Sequence, residues 1–163
     1  MAGLRYISSP LGVIRIESSG QAISLVHFME ENDPVEEGDA DELTENAAMQ
    51  LQEYFEGTRI HFDFPIMQNG TGFQQRVWQQ LLEISCGKTQ SYLELARKLG
   101  DEKCIRAAAS ANGKNNLAVV VPCHRVIGSG GKLVGYAGGL WRKKWLLEHE
   151  ARLTNQTTQG SLF

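Results

Sequence analysis

The sequence predicts an α+β protein with a strand-rich first part and a mostly helical second part. Three short apolar runs near the N-terminus, separated by turns rich in Ser, Gly and Pro, indicate a β-meander; they are residues 4–7, 12–17 and 22–27. From Phe73 onward, apolar residues recur at the period of an amphipathic helix. Because the Gly-rich stretch 68–72 separates the two patterns, we predict domains at residues 1–70 and 71–153 and a mobile tail over 154–163.

The remainder of the first domain is predicted to hold an acidic loop, one helix and one further strand. Residues 30–45 are strongly acidic and indicate an exposed loop that merges into a helix start. A helical face follows, with Gly57 at its end; its apolar residues are Ala47, Ala48, Leu51, Tyr54 and Phe55. The apolar run 62–66 then predicts a strand.

The second domain is predicted to contain a helix-turn-helix. The apolar spacing from Phe73 predicts a first helix, and short helices over residues 92–99 and 103–112 follow, separated by a Gly-containing turn. In the second short helix, residues 107–111 have almost no side-chain bulk. Two interpretations remain open, namely close packing against neighbouring helices or close approach to a nucleic acid backbone. A last helix is predicted over residues 141–150.

Charge is distributed unevenly along the chain. Residues 1–85 hold 4 Lys and Arg against 14 Asp and Glu, whereas residues 86–145 hold 11 against 3. A basic segment of this kind suggests a surface that faces a polyanion. The alternative is that the acidic and basic halves neutralise each other.

Composition excludes several classes of protein. No stretch approaches the roughly 20 apolar residues of a membrane span, and the N-terminus lacks the core of a signal peptide. The three cysteines, Cys86, Cys104 and Cys123, form no disulfide framework and no metal-ligand spacing. We therefore expect a cytoplasmic protein with reduced thiols and no metal site. We further expect a monomer that needs no cofactor.

Cys123 is the candidate nucleophile. The β-branched residues 119–121 predict a buried strand, which Pro122 ends because proline lacks a backbone donor. Cys123 then lies where the chain leaves the core, followed directly by His124 and Arg125. A lone cysteine in such a place is either a buried structural residue or a reactive thiol.

Three motifs in the second domain carry a family resemblance. Pro-Cys-His-Arg-Val at residues 122–126, Gly-Tyr-Ala-Gly-Gly at 135–139 and Lys-Trp-Leu-Leu-Glu-His-Glu at 144–150 occur in this order. Together they resemble the O6-alkylguanine-DNA alkyltransferases, also called methylated-DNA–protein-cysteine methyltransferases, and are similar to the bacterial branch. The resemblance implies a small ribonuclease-H-like N-terminal domain and a mostly helical, winged-helix-like C-terminal domain.

The resemblance also implies a catalytic group of four residues. Cys123 matches the cysteine that accepts the alkyl group, and His124 matches the histidine that reaches this thiol through a water molecule. Glu150 matches the carboxylate that orients the histidine. Asn115 matches the asparagine that braces the turn before the cysteine. From the residues alone, the preferred interpretation of Glu150 is a solvated carboxylate at the end of a helix.

The family pattern assigns further positions to DNA and to the extruded base. Residues implied to contact DNA are Tyr92, which crowds a phosphate, Arg106, which fills the vacated place in the stack, and Ala107 and Ser129. Residues implied to line the guanine pocket are Tyr136, Ala137 and Val126. Some members have serine at the position of Ala137, but the family uses the backbone N–H there, so we expect that contact to persist.

The reaction implied is displacement at the saturated carbon of an alkyl group attached to O6 of guanine in double-stranded DNA. O4-alkylthymine is implied less strongly as a second substrate. A thioether product has no carbonyl for water to attack, so each molecule should act once. The reacting oxygen lies at the pairing edge of the base, so the base must leave the stack. The rival classes are a lesion-binding protein, which would lack Cys123, a thiol hydrolase and a DNA-binding regulator.

Overall fold

The computed structural model describes residues 2–154, which form two compact units. The first unit comprises the residues up to Asn69 together with 116–120, and the second comprises Gly70–Asn115 and the residues from Val121 onward. The chain therefore re-enters the first unit immediately before the Cys123 motif, which the sequence analysis did not predict. The predicted mobile tail lies outside the described residues apart from Thr154.

A three-stranded antiparallel sheet forms the centre of the first unit. Its strands are β1 (Leu4–Ser9), β2 (Gly12–Ser18) and β3 (Ile23–Phe28), in that order across the sheet. Ile14 and Ile16 alternate with polar residues along β2 and are fully buried, as expected for a sheet with one face on the core. The predicted β-meander is confirmed.

Helix α1 (Glu42–Glu56) packs on this sheet. Asp41 caps its first turn by accepting a hydrogen bond from the Thr44 N–H, while the Thr44 hydroxyl accepts one from the Asp41 N–H. Gly57 ends the helix in the left-handed conformation, with φ 90°. The apolar face buries Tyr54 completely. The predicted helix and its end at Gly57 are confirmed.

Two short segments, instead of one full strand, extend the edge of β3. Ile66 forms an isolated parallel bridge with Ile23, and Leu117 forms one with Val26. The prediction of a strand over residues 62–66 is wrong, since only Ile66 pairs. An aromatic cluster explains the apolar run, because Phe62 packs against Tyr54 and Phe64.

As far as residue 154, the second unit contains four α-helices and one short parallel strand pair; they are α2 (Gly72–Leu82), β4 (Gln90–Ser91), α3 (Tyr92–Lys98), α4 (Ile105–Gly113), β5 (Val126–Ile127) and α5 (Leu140–Leu153). A single 3₁₀ turn, Glu102–Cys104, connects α3 to α4. The predicted helix-turn-helix is thus confirmed, with the second helix starting two residues later than predicted. Within residues 2–154, no helix is long and apolar enough to cross a membrane.

The small residues of α4 lie in two different environments. Ala108 and Ala111 are buried where α4 packs against its neighbours, and the Trp78 indole donates a hydrogen bond of 2.9 Å to the Ala111 carbonyl. Ala107 and Ser110 lie exposed on the other side of the same helix. Close packing therefore accounts for one face of α4 and leaves the other face accessible.

Candidate active site

Two consecutive γ-turns carry the chain to Cys123. The Val120 N–H donates to the Ala118 carbonyl at 2.8 Å, and the central residue Val119 has φ 71°; this form of γ-turn is rare and strained. The prediction of a strand over residues 119–121 is therefore wrong. A run of valines is equally compatible with a turn when all its side chains are buried, as they are here.

The second γ-turn presents Cys123 itself. The Cys123 N–H donates to the Val121 carbonyl at 2.8 Å across Pro122, which has φ −82° and ψ 64°, the common inverse form. Proline suits this position because its ring fixes φ near −65°. The Asn115 amide donates to the same Val121 carbonyl at 2.8 Å. Asn115 therefore braces this turn, which is the placement that the resemblance implied.

Behind Cys123, a histidine, an arginine and a glutamate form one buried cluster. His124 Nε2 lies 2.8 Å from Glu150 Oε2. Arg125 donates through Nε to Glu150 Oε1 at 2.8 Å and through Nη2 to Oε2 at 2.9 Å. His124 and Glu150 are both completely buried. Glu150 is thus not a solvated carboxylate, and burial of a charge requires partners of this kind.

The Glu150 carboxylate is ionised in this cluster. Its burial favours the neutral acid, but the His124 and Arg125 contacts outweigh burial and hold its pKa well below the ordinary value. Burial lowers the pKa of His124, against the attraction of Glu150. A neutral ring that bonds an ionised carboxylate through Nε2 carries its hydrogen there, so Nδ1 is the basic nitrogen. Within the described chain, Nδ1 is buried and makes no hydrogen bond.

The pKa of the Cys123 thiol is raised, chiefly by burial. Three influences act in the opposite direction: a hydrogen bond from the Asn115 side chain, the positive charge of Lys143 and a backbone hydrogen bond at Cys123 itself. An unperturbed cysteine, with a pKa of about 8.5, is already mostly protonated near neutral pH. The resting thiol is therefore protonated and needs a base, and His124 is its immediate neighbour in the chain.

Cys123 lies in the wall of a cavity of about 660 Å³. This volume falls in the range of pockets for small organic ligands, roughly 300–1,000 Å³. Seven of the predicted site residues line the cavity: Tyr92, Arg106, Asn115, Cys123, Ser129, Tyr136 and Ala137. The other four lie elsewhere. His124, Glu150 and Val126 are completely buried, and Ala107 lies exposed on α4 beside Arg106.

Tyr92 and Tyr136 bring two hydroxyl groups to the cavity. Tyr92 begins α3 and its hydroxyl donates to the Val134 carbonyl at 3.4 Å. The Tyr136 hydroxyl is buried and has no hydrogen-bond partner within residues 2–154. Burial raises the pKa of both phenols, and ionisation of the nearby Cys123 thiol would raise it further. Both tyrosines therefore stay protonated and able to donate.

Lys143 holds the glycine-containing loop that forms one side of the cavity. Its side chain is almost completely inaccessible, and Nζ donates to the carbonyls of Val134 at 2.9 Å and Gly135 at 3.2 Å. Burial lowers its pKa to about 8. The neighbouring Arg142 is also buried and donates to the Gly138 carbonyl at 2.8 Å. These two cations thus anchor the loop and are unavailable at the surface.

Sequence reasoning assigned no role to three residues of the site: Arg125, Lys143 and Asn112. The position of Arg125 directly after Cys123 and His124 was the only signal that could have pointed to it. Asn112 lines the cavity from α4. It follows a run of small residues in a predicted helix, and no local sequence signal distinguished it. Among residues 2–154, no group of three or more His, Cys, Asp or Glu side chains could hold a metal ion.

The fold and the site together define a class, namely α+β proteins with a helix-turn-helix unit in which a cysteine in the wall of a cavity is followed by a buried histidine–arginine–glutamate cluster. Comparison with known proteins identifies the family. A sequence profile for the 6-O-methylguanine DNA methyltransferase DNA-binding domain matches residues 72–152, and one for the ribonuclease-like domain of that enzyme matches residues 4–68. The chain belongs to the 6-O-methylguanine DNA methyltransferase family.

Individual relatives match over almost the whole chain. A methylated-DNA–protein-cysteine methyltransferase of Methanosarcina acetivorans is 41% identical over 146 residues, covering 87% of this chain and 94% of the relative. The crystal structure of the Mycobacterium tuberculosis O6-methylguanine methyltransferase superposes with a TM-score of 0.82 at 38% identity, covering 98% and 97%. The M. tuberculosis OGT protein in complex with DNA gives 0.85 at 40% identity, covering 93% and 94%. The predicted fold class is confirmed.

Proposed function

We propose that this protein repairs DNA by moving an alkyl group from O6 of guanine to Sγ of Cys123. The observation that carries the proposal is the placement of this thiol in the wall of a ligand-sized cavity, where the next residue of the chain is a buried His124 bonded to a buried Glu150. The names of the relatives support the same activity. Activity on O4-alkylthymine is a weaker part of the proposal.

The proton of the thiol must leave before sulfur attacks. Nδ1 of His124 has a free lone pair and takes this proton through a bridging water molecule, while Glu150 stabilises the ring as it becomes charged. The thiolate then forms a bond to the alkyl carbon as the bond from that carbon to O6 breaks. The electron pair leaves with guanine, which gains a proton and returns to its ordinary lactam form.

The product cannot be recycled by the same chemistry. An S-alkyl cysteine is a thioether, so it offers no carbonyl carbon at which water could regenerate the thiol. One molecule of protein therefore repairs one lesion, and the number of lesions that can be repaired is limited by the supply of unreacted protein.

The second unit supplies the surface for duplex DNA. Eight of the eleven cations among residues 86–145 are exposed; they are Lys88, Arg97, Lys98, Lys103, Arg106, Lys114, Lys132 and Lys144. We propose that the exposed small face of α4, at Ala107, approaches the backbone while Arg106 replaces the extruded base in the stack. Contacts to phosphates make binding depend on salt, with a log–log slope of about −0.9 per neutralised phosphate.

The cytoplasm is the proposed compartment, and a monomer is the proposed state. All three cysteines are free thiols, which fits a reducing environment. A transfer that uses one thiol and one base needs a single copy of the site.

The decisive experiment measures the mass of the protein after reaction. Incubation with a duplex that contains one O6-methylguanine should add one methyl group, mapped to the peptide that holds Cys123. Cys123→Ser should bind the same duplex and gain no mass. Cys104→Ser, in which a half-buried thiol is replaced, serves as the matched control and should react normally. Methyl uptake by Cys123→Ser, or repeated turnover with release of a small product, would refute the proposal.

A further inference from the structure

Gln68 is a side chain of the first unit to which the proposed mechanism gives no task. Its Oε1 accepts a hydrogen bond of 2.8 Å from the backbone N–H of Asn116, which lies 48 residues further along the chain. Both residues belong to the first unit, because the chain re-enters that unit at residues 116–120. Asn116 directly follows Asn115, the residue that braces the turn before Cys123. The Gln68 side chain therefore holds the backbone one residue away from that brace.

The peptide groups on both sides of Asn116 are fixed by hydrogen bonds. In the following peptide group, the Asn116 carbonyl accepts a hydrogen bond of 2.9 Å from the Val26 N–H on β3. Two residues later, the Ala118 N–H donates to the Val26 carbonyl at 3.0 Å, so this stretch is anchored to the sheet. The preceding peptide group, which joins Asn115 to Asn116, has its N–H bonded to Gln68. Gln68 thus orients the peptide plane through which Asn115 joins the anchored stretch.

The direction of the Asn115 side chain depends on this peptide plane. Because a peptide group is planar, its rotation moves the Cα atom bonded to it and changes the direction in which Cβ points. The Asn115 side chain donates to the Val121 carbonyl at 2.8 Å, and its hydrogen bond to Cys123 favours the thiolate. Hydrogen bonds weaken steeply when their angle is lost. A small rotation of the plane is therefore enough to weaken both contacts.

We propose that Gln68 is a positioning residue for alkyl transfer, which keeps Asn115 aligned with Cys123 by accepting a hydrogen bond from the Asn116 N–H. This inference rests on the proposed function and adds to it a task for a side chain of the first unit. Gln68 acts through one peptide group and not on the reacting atoms. Its loss should therefore slow the transfer of the alkyl group and leave the affinity for duplex DNA unchanged.

The test removes the acceptor and keeps the size of the side chain. In Gln68→Met, the single-turnover rate of methyl transfer from a duplex with O6-methylguanine should fall about five-fold, the scale of one hydrogen bond. The rate should also rise at a higher pH than in the wild type, because the thiolate has lost part of its stabilisation. Gln68→Glu retains an oxygen acceptor and should keep the wild-type rate and pH profile. Gln52→Met, the same substitution at an exposed position of α1, is the matched control and should change neither.

A double-mutant cycle separates positioning of Asn115 from a general loss of stability. Because each molecule reacts once, the final amount of methylated protein counts the folded molecules, and the rate constant then refers to these alone. If Gln68 acts through the Asn115 side chain, Gln68→Met should cause no further loss of rate in an Asn115→Ala background. A wild-type rate in Gln68→Met, or an equal loss in both backgrounds, would overturn the inference. Failure of the wild-type protein to accept the methyl group would instead overturn the proposed function.

Discussion

An exposed ion pair of the first unit and a buried charge cluster of the second unit use charge in opposite ways. In the first unit, Arg5 and Glu45 pair at 2.6 Å with side chains that are 38% and 57% exposed. In the second unit, His124, Arg125 and Glu150 form a cluster in which no side chain is more than 8% exposed. Exposed pairs contribute little to stability, whereas removing one partner of a buried pair leaves an uncompensated charge.

This difference shows that a count of charges along the sequence does not separate exposed cations from buried ones. The basic segment suggested a surface for a polyanion, but three of its cations are internal: Arg125, Arg142 and Lys143. These three hold a carboxylate and a loop in place beside Cys123. Only the exposed cations of this segment can contact DNA.

The largest expected effect comes from removing the shared carboxylate. Glu150→Gln should lower the free energy of unfolding by about 3–5 kcal/mol, because His124 and Arg125 are left buried with a neutral neighbour. The control in the first unit, Glu45→Gln, should lower it by less than about 1 kcal/mol. Urea unfolding near pH 7 measures both. Equal losses would remove the distinction between the two units.

The Glu150 carboxylate should also make the free energy of unfolding depend on pH. Because the pKa of Glu150 is lowered from its ordinary value of 4.5 in the folded protein, its contribution is fully present above pH 4.5 and is lost as the pH falls below it. The difference in unfolding free energy between wild type and Glu150→Gln should therefore narrow below pH 4.5. A difference that widens there would show that the folded protein favours the protonated acid.

A smaller effect is expected at the strained γ-turn. Val119→Gly removes a buried side chain, which lowers stability, but it also removes backbone strain. A positive φ costs roughly 1–2 kcal/mol in a residue with a Cβ and is allowed for glycine. Val120→Gly, at a neighbouring buried position where φ is not positive, has no such compensation. Thermal or urea unfolding should show Val119→Gly to be the less damaging change by about that amount. Equal damage would mean that the turn stores no strain.

The smallest expected effect concerns one exposed cation. Arg106→Ala should slow methyl transfer from duplex DNA about ten-fold, because base extrusion costs a few kcal/mol that this side chain partly offsets. Transfer from the free base O6-methylguanine, which needs no extrusion, should be unchanged. Lys88→Ala, another exposed cation, is the control. An equal effect of both changes on duplex DNA would indicate that only net charge matters.

Prediction from sequence succeeded where the signal was local. The three-to-four spacing from Phe73 gave α2, and the Gly-containing turn after α3 gave the helix-turn-helix. It failed over 119–121, because a preference for β-branched residues does not distinguish a buried strand from a buried turn. It also missed contacts between distant positions, since nothing local links Arg125 to Glu150, 25 residues further along the chain.

The sequence by itself determined the periodic elements, the order of the two parts and, through the motif around Cys123, the residue that we propose as the nucleophile. These properties depend on residues that are near neighbours along the chain. Only the tertiary structure decided which charges are buried and which nitrogen of His124 is basic. Burial and hydrogen bonding depend on the residues that packing brings together, so the same amino acid can be a solvated group or part of the site.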